Sequence, residues 1–230
     1  MAKNALVLIS GGLDSATCLY WAVNKFERVQ AITFNYFGRI NNEKIAARSV
    51  AKLACVKLIE VEAPFIKEKS EYSRIKLKSN GRASQSYIPL RNLIFYSISG
   101  YFAQINKINN LVGGHIASDG TIFKDATDSY FRKMNELILE GLLGSTDCRI
   151  LLPLMDLSRA DVIRLAQMLN VPVELTWSCH MEGKLPCGRC YACKQRLNAF
   201  KLLGTIDPAP YFNTRSANTL DRRFFVQKKK

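Results

Sequence analysis

Two stretches of this sequence carry residue types at spacings suited to chemistry. The first is Ser10-Gly11-Gly12-Leu13-Asp14-Ser15, set between the apolar run Ala5-Leu6-Val7-Leu8-Ile9 and a helical pattern from about Ser15 to Lys25. A strand, a glycine turn and a helix in that order form an anion receptor. Glycine lets the backbone bend and approach the anion without a Cβ in the way, and the amides and positive dipole end of the helix face it. Ser10 and Ser15 add hydroxyl donors, whereas Asp14 would repel bare phosphate and so points to Mg²⁺ or to shaping the turn. No Gly-Lys-Ser/Thr follows, as in a Walker loop, and the spacing is not the G-x-G-x-x-G of dinucleotide folds.

The second stretch is Cys179-x₇-Cys187-x₂-Cys190-x₂-Cys193. Four thiolates with two C-x₂-C spacings can close a tetrahedral Zn²⁺ site and leave no vacancy for water, which makes the site structural rather than catalytic. A role fastening the C-terminal helix to the rest of the fold is expected. Cys18, Cys55 and Cys148 read as core residues, and His115 and His180 as residues outside the metal set.

The elements that must hold these groups follow from periodicity. Strand-like runs at Val29–Phe34, Val56–Val61, Asn110–Gly113 and Arg149–Leu152 alternate with helical patterns at Asn42–Leu53, Arg91–Asn106 and Ser129–Gly141. Ile94, Ile98, Phe102 and Ile105 form the expected core stripe of one helix, and Met134, Leu137 and Ile138 that of another. Ser158-Arg159-Ala160-Asp161 is a capping box opening a last helix to Leu169. This alternation predicts a doubly wound, Rossmann-like parallel sheet with ligands at the carboxyl ends of its strands. Residues 62–90 break the rhythm with Lys67, Lys69, Arg74, Lys76, Lys78 and Arg82, and read as a mobile basic loop or lid. The expected organisation is a nucleotide domain over 1–175, a metal-binding loop and helix over 176–203, and a basic tail over 204–230.

Composition narrows the class. With 48% hydrophobic and 23% charged residues, disorder and fibrous repeats are excluded. No apolar run near the N-terminus approaches the ~20 residues of a membrane span or forms an export signal, so a cytoplasmic chain with no membrane partner is expected. A formal charge of +14 favours polyanions, either nucleic acid or an acidic protein.

The hexapeptide resembles the pyrophosphate-loop signature S-G-G-x-D-S of the N-type ATP pyrophosphatases. The wider context is similar to 7-cyano-7-deazaguanine synthases within that superfamily. It comprises Thr176-Trp177-Ser178-Cys179, Pro186-Cys187-Gly188-Arg189-Cys190-Tyr191-Ala192-Cys193, Arg196 and Phe200, Tyr87-Ile88-Pro89-Leu90-Arg91-Asn92, and Pro153-Leu154 before Leu157-Ser158. The resemblance implies an adenine nucleotide alpha hydrolase-like fold, an ATP-dependent ligase, one structural Zn²⁺, Mg²⁺ with ATP, and a homodimer. The implied reaction adenylates 7-carboxy-7-deazaguanine, captures ammonia to give the amide, and dehydrates the amide to the nitrile, a precursor of queuosine and archaeosine. Implied ATP contacts are Leu8, Ile9, Ser10 to Ser15, Ala16, Thr17, Cys18, Ile32, Thr33 and Phe34 (the last three by main chain to adenine), Arg91 and Gly113. Implied catalytic residues are Asp14, Ser15, Arg91 and Asp125, while Asp119 and Asp128 read as ordinary loop or helix-cap carboxylates, with contact to a substrate or Mg²⁺ as the alternative.

Three stretches depart from the family pattern. Tyr36-Phe37-Gly38-Arg39-Ile40 lacks the usual Gln and His, Lys124-Asp125-Ala126-Thr127 keeps only the aspartate, and Leu90 stands where glycine is usual. These changes leave room for a paralogue that passes a carboxylate to another amine, such as a protein amine. A tRNA-modifying pyrophosphate-loop enzyme and a non-catalytic nucleotide-binding module are the other readings.

Overall fold

The computed structural model describes residues 4–66, 87–143 and 147–212. Five strands, β1 (Asn4–Leu8), β2 (Arg28–Asn35), β3 (Lys57–Glu62), β4 (Asn110–Val112) and β5 (Arg149–Leu151), form one sheet in the order β3-β2-β1-β4-β5. Every pairing is parallel, with Leu8 opposite Ile32 and Val7 opposite Val112 at the site end. The chain runs outward from β1 to β3, then crosses back to start again at β4, so the reversal lies between β1 and β4. Loops after these two strands diverge to opposite faces and leave a crevice between them.

The period of two along β1 assigns its side chains to two cores. Ala5, Val7 and Ile9 join a cluster with α1 (Leu13–Lys25), α2 (Asn41–Leu53), α6 (Arg159–Met168) and α7 (Tyr191–Leu202), while Leu6 points to the other face, against α3 (Arg91–Ile105) and α5 (Asp128–Gly141). Helices thus cover both faces, as a fully parallel sheet requires. The Ser158–Asp161 capping box forms as its spacing predicts: the Ser158 hydroxyl accepts the Asp161 N–H at 3.2 Å, and the Asp161 carboxylate accepts the Ser158 N–H at 3.3 Å. Among the described residues no helix is long and apolar enough to cross a membrane.

Several expectations are corrected. The buried face of α3 is Asn92, Tyr96, Ser99, Gly100 and Ala103, not the Ile94/Ile98/Phe102/Ile105 stripe. Small residues let α5 come close, with Gly100 against Ile138, so the larger side chains flank the contact and Ile105 faces solvent. Leu137 is likewise exposed, beside buried Met134 and Ile138. Cys18 and Cys148 are buried as expected, but Cys55 is exposed. It sits at φ 53 just past α2, where the chain turns back toward β3. The basic residues between Lys67 and Arg82, and the tail from Thr214, lie outside the described residues.

Leu90, in place of the glycine expected by resemblance, precedes α3 at φ 54 and ψ 29 and is 55% exposed. A left-handed non-glycine residue costs about 1–2 kcal/mol, partly offset by the stiffer unfolded chain. Leu90→Gly is expected to raise stability by about 0.5–1 kcal/mol in urea titrations; a fall instead would mean that packing by the leucine side chain outweighs its backbone strain.

Candidate functional site

The turn after β1 is held by its own side chains. The Ser15 hydroxyl donates to the Gly12 carbonyl at 3.0 Å and accepts the Ser10 N–H at 3.1 Å. Its proton being committed, the 3.1 Å contact between the two serine hydroxyls has Ser10 as donor. The Ser10 oxygen in turn accepts the Gly12 N–H at 3.2 Å. Gly11 takes φ +95, and a Cβ there would collide with the Glu43 carbonyl and the Ala47 N–H of α2. Only glycine lets the turn lie against that helix. The Gly12 carbonyl receives the first helical bond, from Ala16 N–H at 3.0 Å. The amides of Leu13, Asp14 and Ser15 therefore precede the helical ladder, at the positive end of α1.

Two cavities meet at this turn and share Ser10, Ser15, Gly114 and Asp119. The larger, 470 Å³, lies between the start of α1, the Thr121–Phe123 segment, α6 and α7, and is reached by Arg159, Ser178, His180, Tyr191 and Gln195. The smaller, 240 Å³, lies over the tips of β1, β2 and β4 and is closed by Arg91, Phe95 and Tyr96 from α3. Phe34 and Phe95 stack at 4.2 Å to wall it. Gly114 brings the loop after β4 against the start of α1: a Cβ there would lie 2.9 Å from the Asp14 carbonyl and the Ser15 nitrogen.

Three charged groups converge in the larger cavity. Arg159 lies 3.6 Å from Asp14 and 3.3 Å from Asp119. Asp14 is on a cavity floor, its side chain about a quarter exposed. Loss of water there pushes its carboxyl from 3.8 up to about 6, Arg159 pulls it down and Asp119 raises it further. Asp119 is also raised, chiefly by burial. His115 is pushed down to about 3 by burial and by Arg91, so its imidazole is neutral at pH 7. Paired carboxylates beside an anion receptor can hold a hard divalent cation through oxygen.

Of the expected site residues, Ser10, Gly12, Leu13, Asp14 and Ser15 line the larger cavity, and Leu8, Ile9, Ile32, Thr33, Phe34, Arg91 and Gly113 the smaller. Gly11 shapes the turn from beneath. Ala16, Thr17 and Cys18 do not reach either cavity: all three are buried under the sheet, with the Thr17 hydroxyl donating to the Leu13 carbonyl and the Cys18 thiol to that of Gly113. Asp125 also lines neither cavity. It accepts the Asn92 N–H at 3.1 Å, and the Asn92 amide donates to its carbonyl at 2.8 Å, so it anchors the start of α3. Asp128 begins α5 and pairs with Arg132.

Sequence reading missed Arg159, which was visible only as part of a cap, whereas Asp119, one of the possible substrate or Mg²⁺ contacts, does line both cavities. It also missed Arg39. That side chain is buried and donates to the carbonyls of Ser10 at 2.8 Å and Phe34 at 2.8 Å and to the Asn35 side chain at 3.1 Å. It ties the ends of β1 and β2 together from within the stretch that departs from the family pattern.

Cys179, Cys187, Cys190 and Cys193 place their Sγ atoms within 4.8 Å of one another, the Cys187–Cys193 and Cys179–Cys190 pairs at 4.0 and 3.9 Å. A tetrahedral ion bonded at ~2.3 Å needs sulfurs about 3.8 Å apart. Backbone N–H groups of Met181, Cys187, Cys190 and Cys193 point at sulfurs, at 3.3–3.5 Å. Such donors stabilise thiolates, and the set can hold a metal ion. Beside it, Arg196 is buried and forks onto Asp207 at 2.7 and 2.9 Å, while also donating to Thr176 and Val173.

The chain matches the model of a family described as "Queuosine biosynthesis protein QueC" over residues 4–204. It is 36% identical to a 7-cyano-7-deazaguanine synthase of Thermoplasma volcanium, covering 92% of each chain. A protein of the same description from Campylobacter jejuni is 34% identical, over 92% of this chain and 99% of the relative. Among solved structures, an NH3-dependent NAD synthetase from Campylobacter jejuni aligns over 76% of this chain and 67% of its own, with a TM-score of 0.49 and 15% identity.

The raised Asp14 carboxyl sets a pH dependence. Between its unfolded value of 3.8 and its folded value of about 6, the folded state binds the extra proton, so stability is lost as pH rises through that window. Thermal melts of the ligand-free protein from pH 4 to 7 should show the native chain losing ground to the Asp14→Asn variant. Parallel curves would mean that Arg159 fully compensates the burial.

Proposed function

Because the chain belongs to the queuosine biosynthesis protein QueC family, whose relatives are synthases, we propose that it is the ATP-dependent ligase making 7-cyano-7-deazaguanine. Its substrates are 7-carboxy-7-deazaguanine, ammonia and ATP. What carries this reading is the meeting of two unlike cavities on one phosphate-type turn, which supports one nucleotide and one acid reacting across it. Adenine occupies the smaller cavity, and the triphosphate lies along the amides of Leu13, Asp14 and Ser15. The acid occupies the larger cavity, where the Arg159 guanidinium pairs with its carboxylate.

The acid oxygen attacks the α-phosphorus, the α–β bridge breaks and pyrophosphate leaves. Catalysis then consists of alignment and of stabilising charge that develops on the leaving group. The helix-start amides and the Ser10 and Ser15 hydroxyls supply that stabilisation without rearranging. Ammonia adds to the acyl carbon, AMP departs with the C–O bond, and loss of a proton gives the amide. A second ATP activates the amide oxygen, and AMP leaves again as nitrogen gives up its remaining protons to form the nitrile. Mg²⁺ held by Asp14 and Asp119 would screen the phosphates. Zn²⁺ on the four cysteines would supply structure alone, since a closed thiolate set leaves no coordination site for substrate.

Incubation with ATP, 7-carboxy-7-deazaguanine and ammonium should yield the nitrile by mass spectrometry, with AMP and pyrophosphate. Asp14→Ala should cut the rate at least about 100-fold. An amide end product, or ADP with orthophosphate, would defeat the proposal.

Metal analysis should find one zinc per chain. Cys190→Ser should lower that content and the melting temperature together, because binding free energy at a closed site is folding free energy. Metal-free protein with an unchanged melt would remove zinc from the reading.

A further inference from the structure

The turn after β1 carries adjacent glycines, Gly11 at φ +95 and Gly12 at φ −78. A flip of the peptide between them rotates ψ of the first and φ of the second together, and with no Cβ on either residue both orientations are sterically open. The peptide is trans, so its carbonyl and its N–H point in opposite directions. The N–H is on the crevice side: Gly12 lines the larger cavity, and its N–H meets the Ser10 hydroxyl in an exposed bond. The carbonyl points the other way and accepts the Trp177 N–H at 2.9 Å. After a flip, an acceptor oxygen would stand where the N–H now stands, among donors whose common direction favours an anion.

Trp177 is itself fixed on both sides along the chain. Its indole N–H donates to the Cys179 carbonyl at 2.9 Å in a buried bond. Its side chain packs with Ile40, Ala46, Cys179, Cys193 and Tyr211. Its chain neighbours Thr176 and Ser178 both accept from the Arg196 guanidinium, at 2.7 and 3.4 Å, and Arg196 lies on α7 three residues past Cys193. The donor that meets the Gly11 carbonyl therefore belongs to the four-cysteine segment and not to the sheet.

We propose that Trp177 is a positioning residue for the reaction, locking the Gly11–Gly12 peptide with its N–H toward the phosphates and its carbonyl away from them. This deepens the reading of the turn as the ATP phosphate site and rests on it. Trp177 lines neither cavity, so it acts through the peptide it holds. Such a lock matters because donors stabilise developing charge only when they are fixed beforehand.

Trp177→Phe removes the indole N–H and keeps an aromatic ring in the cluster. Well below its melting temperature, and with its metal content matched to the native protein, it should bind Mg²⁺-pyrophosphate and Mg²⁺-ATP at least about fivefold more weakly by calorimetry, the low end of coupling between sites. In histidine, Nε2 takes the ring position of the indole nitrogen and can donate. Trp177→His should therefore recover most of that affinity although its smaller ring lowers the melting temperature. A merely structural role predicts affinities that follow the melting temperatures, or lower melts with native affinity; either result overturns the proposal. The native protein supplies a test that needs no variant to fold. Coupling is reciprocal, so saturating pyrophosphate should slow hydrogen exchange at the Trp177 backbone amide about fivefold or more, and unchanged exchange overturns the proposal while the ATP reading stands. If the native protein binds neither pyrophosphate nor ATP, that reading fails and the proposal fails with it.

Discussion

The close approach of the Gly11 turn to the backbone of α2 is the constraint on which the site depends. With φ +95 and no room for a Cβ, the turn leaves β1 and enters α1 over the sheet rather than beside it. Everything polar in the crevice is referred to that path. Ser15 folds back onto Gly12 and Ser10, the first-turn amides are held short of the helical ladder, and Gly114 lets the β4 loop close against them. A side chain at Gly11 would push the turn off α2 and misplace donors that act only when fixed in advance.

The cysteine region is bound into the same constraint. Trp177 donates its N–H to the Gly11 carbonyl at 2.9 Å, and its indole donates to the Cys179 carbonyl at 2.9 Å. One residue thus joins the Gly11 turn to the four-cysteine cluster. Arg196 secures the neighbouring segment through Thr176, Val173 and Asp207, and Tyr211 donates to the same carboxylate at 2.6 Å. A buried guanidinium is tolerable only with its charge paired and its N–H groups satisfied, and here both conditions hold. The four-cysteine loop is therefore part of the site's frame, and the chain beside it forms one wall of the larger cavity.

Arg39 plays a comparable part across the strands. It lies within the departure from the family pattern, yet it is buried and saturated with carbonyl acceptors at the tips of β1 and β2. Reading the stretch only for the missing Gln and His obscured an arginine that braces the crevice. Asp125 is a different case. Its place in a familiar run suggested catalysis, and the fold shows it anchoring the start of α3. Motif position told where these residues stand in the chain but not which way they face.

How much was legible follows from the range of the forces involved. The alternation of strands and helices, the glycine turn, the Ser158 cap and the four-cysteine spacing are local, written in periods of two and 3.6 and in contacts a few residues apart. The sequence alone settled the parallel α/β class and the position of the turn, because those depend on neighbours along the chain. Tertiary structure alone decided the reversal between β1 and β4, the small-residue face of α3, and the joining of Asp14, Asp119 and Arg159 across 145 residues of chain. It alone left the Thr33 and Tyr96 hydroxyls buried and unpaired among the described residues. Such contacts arise from packing between distant segments, and no local period encodes them.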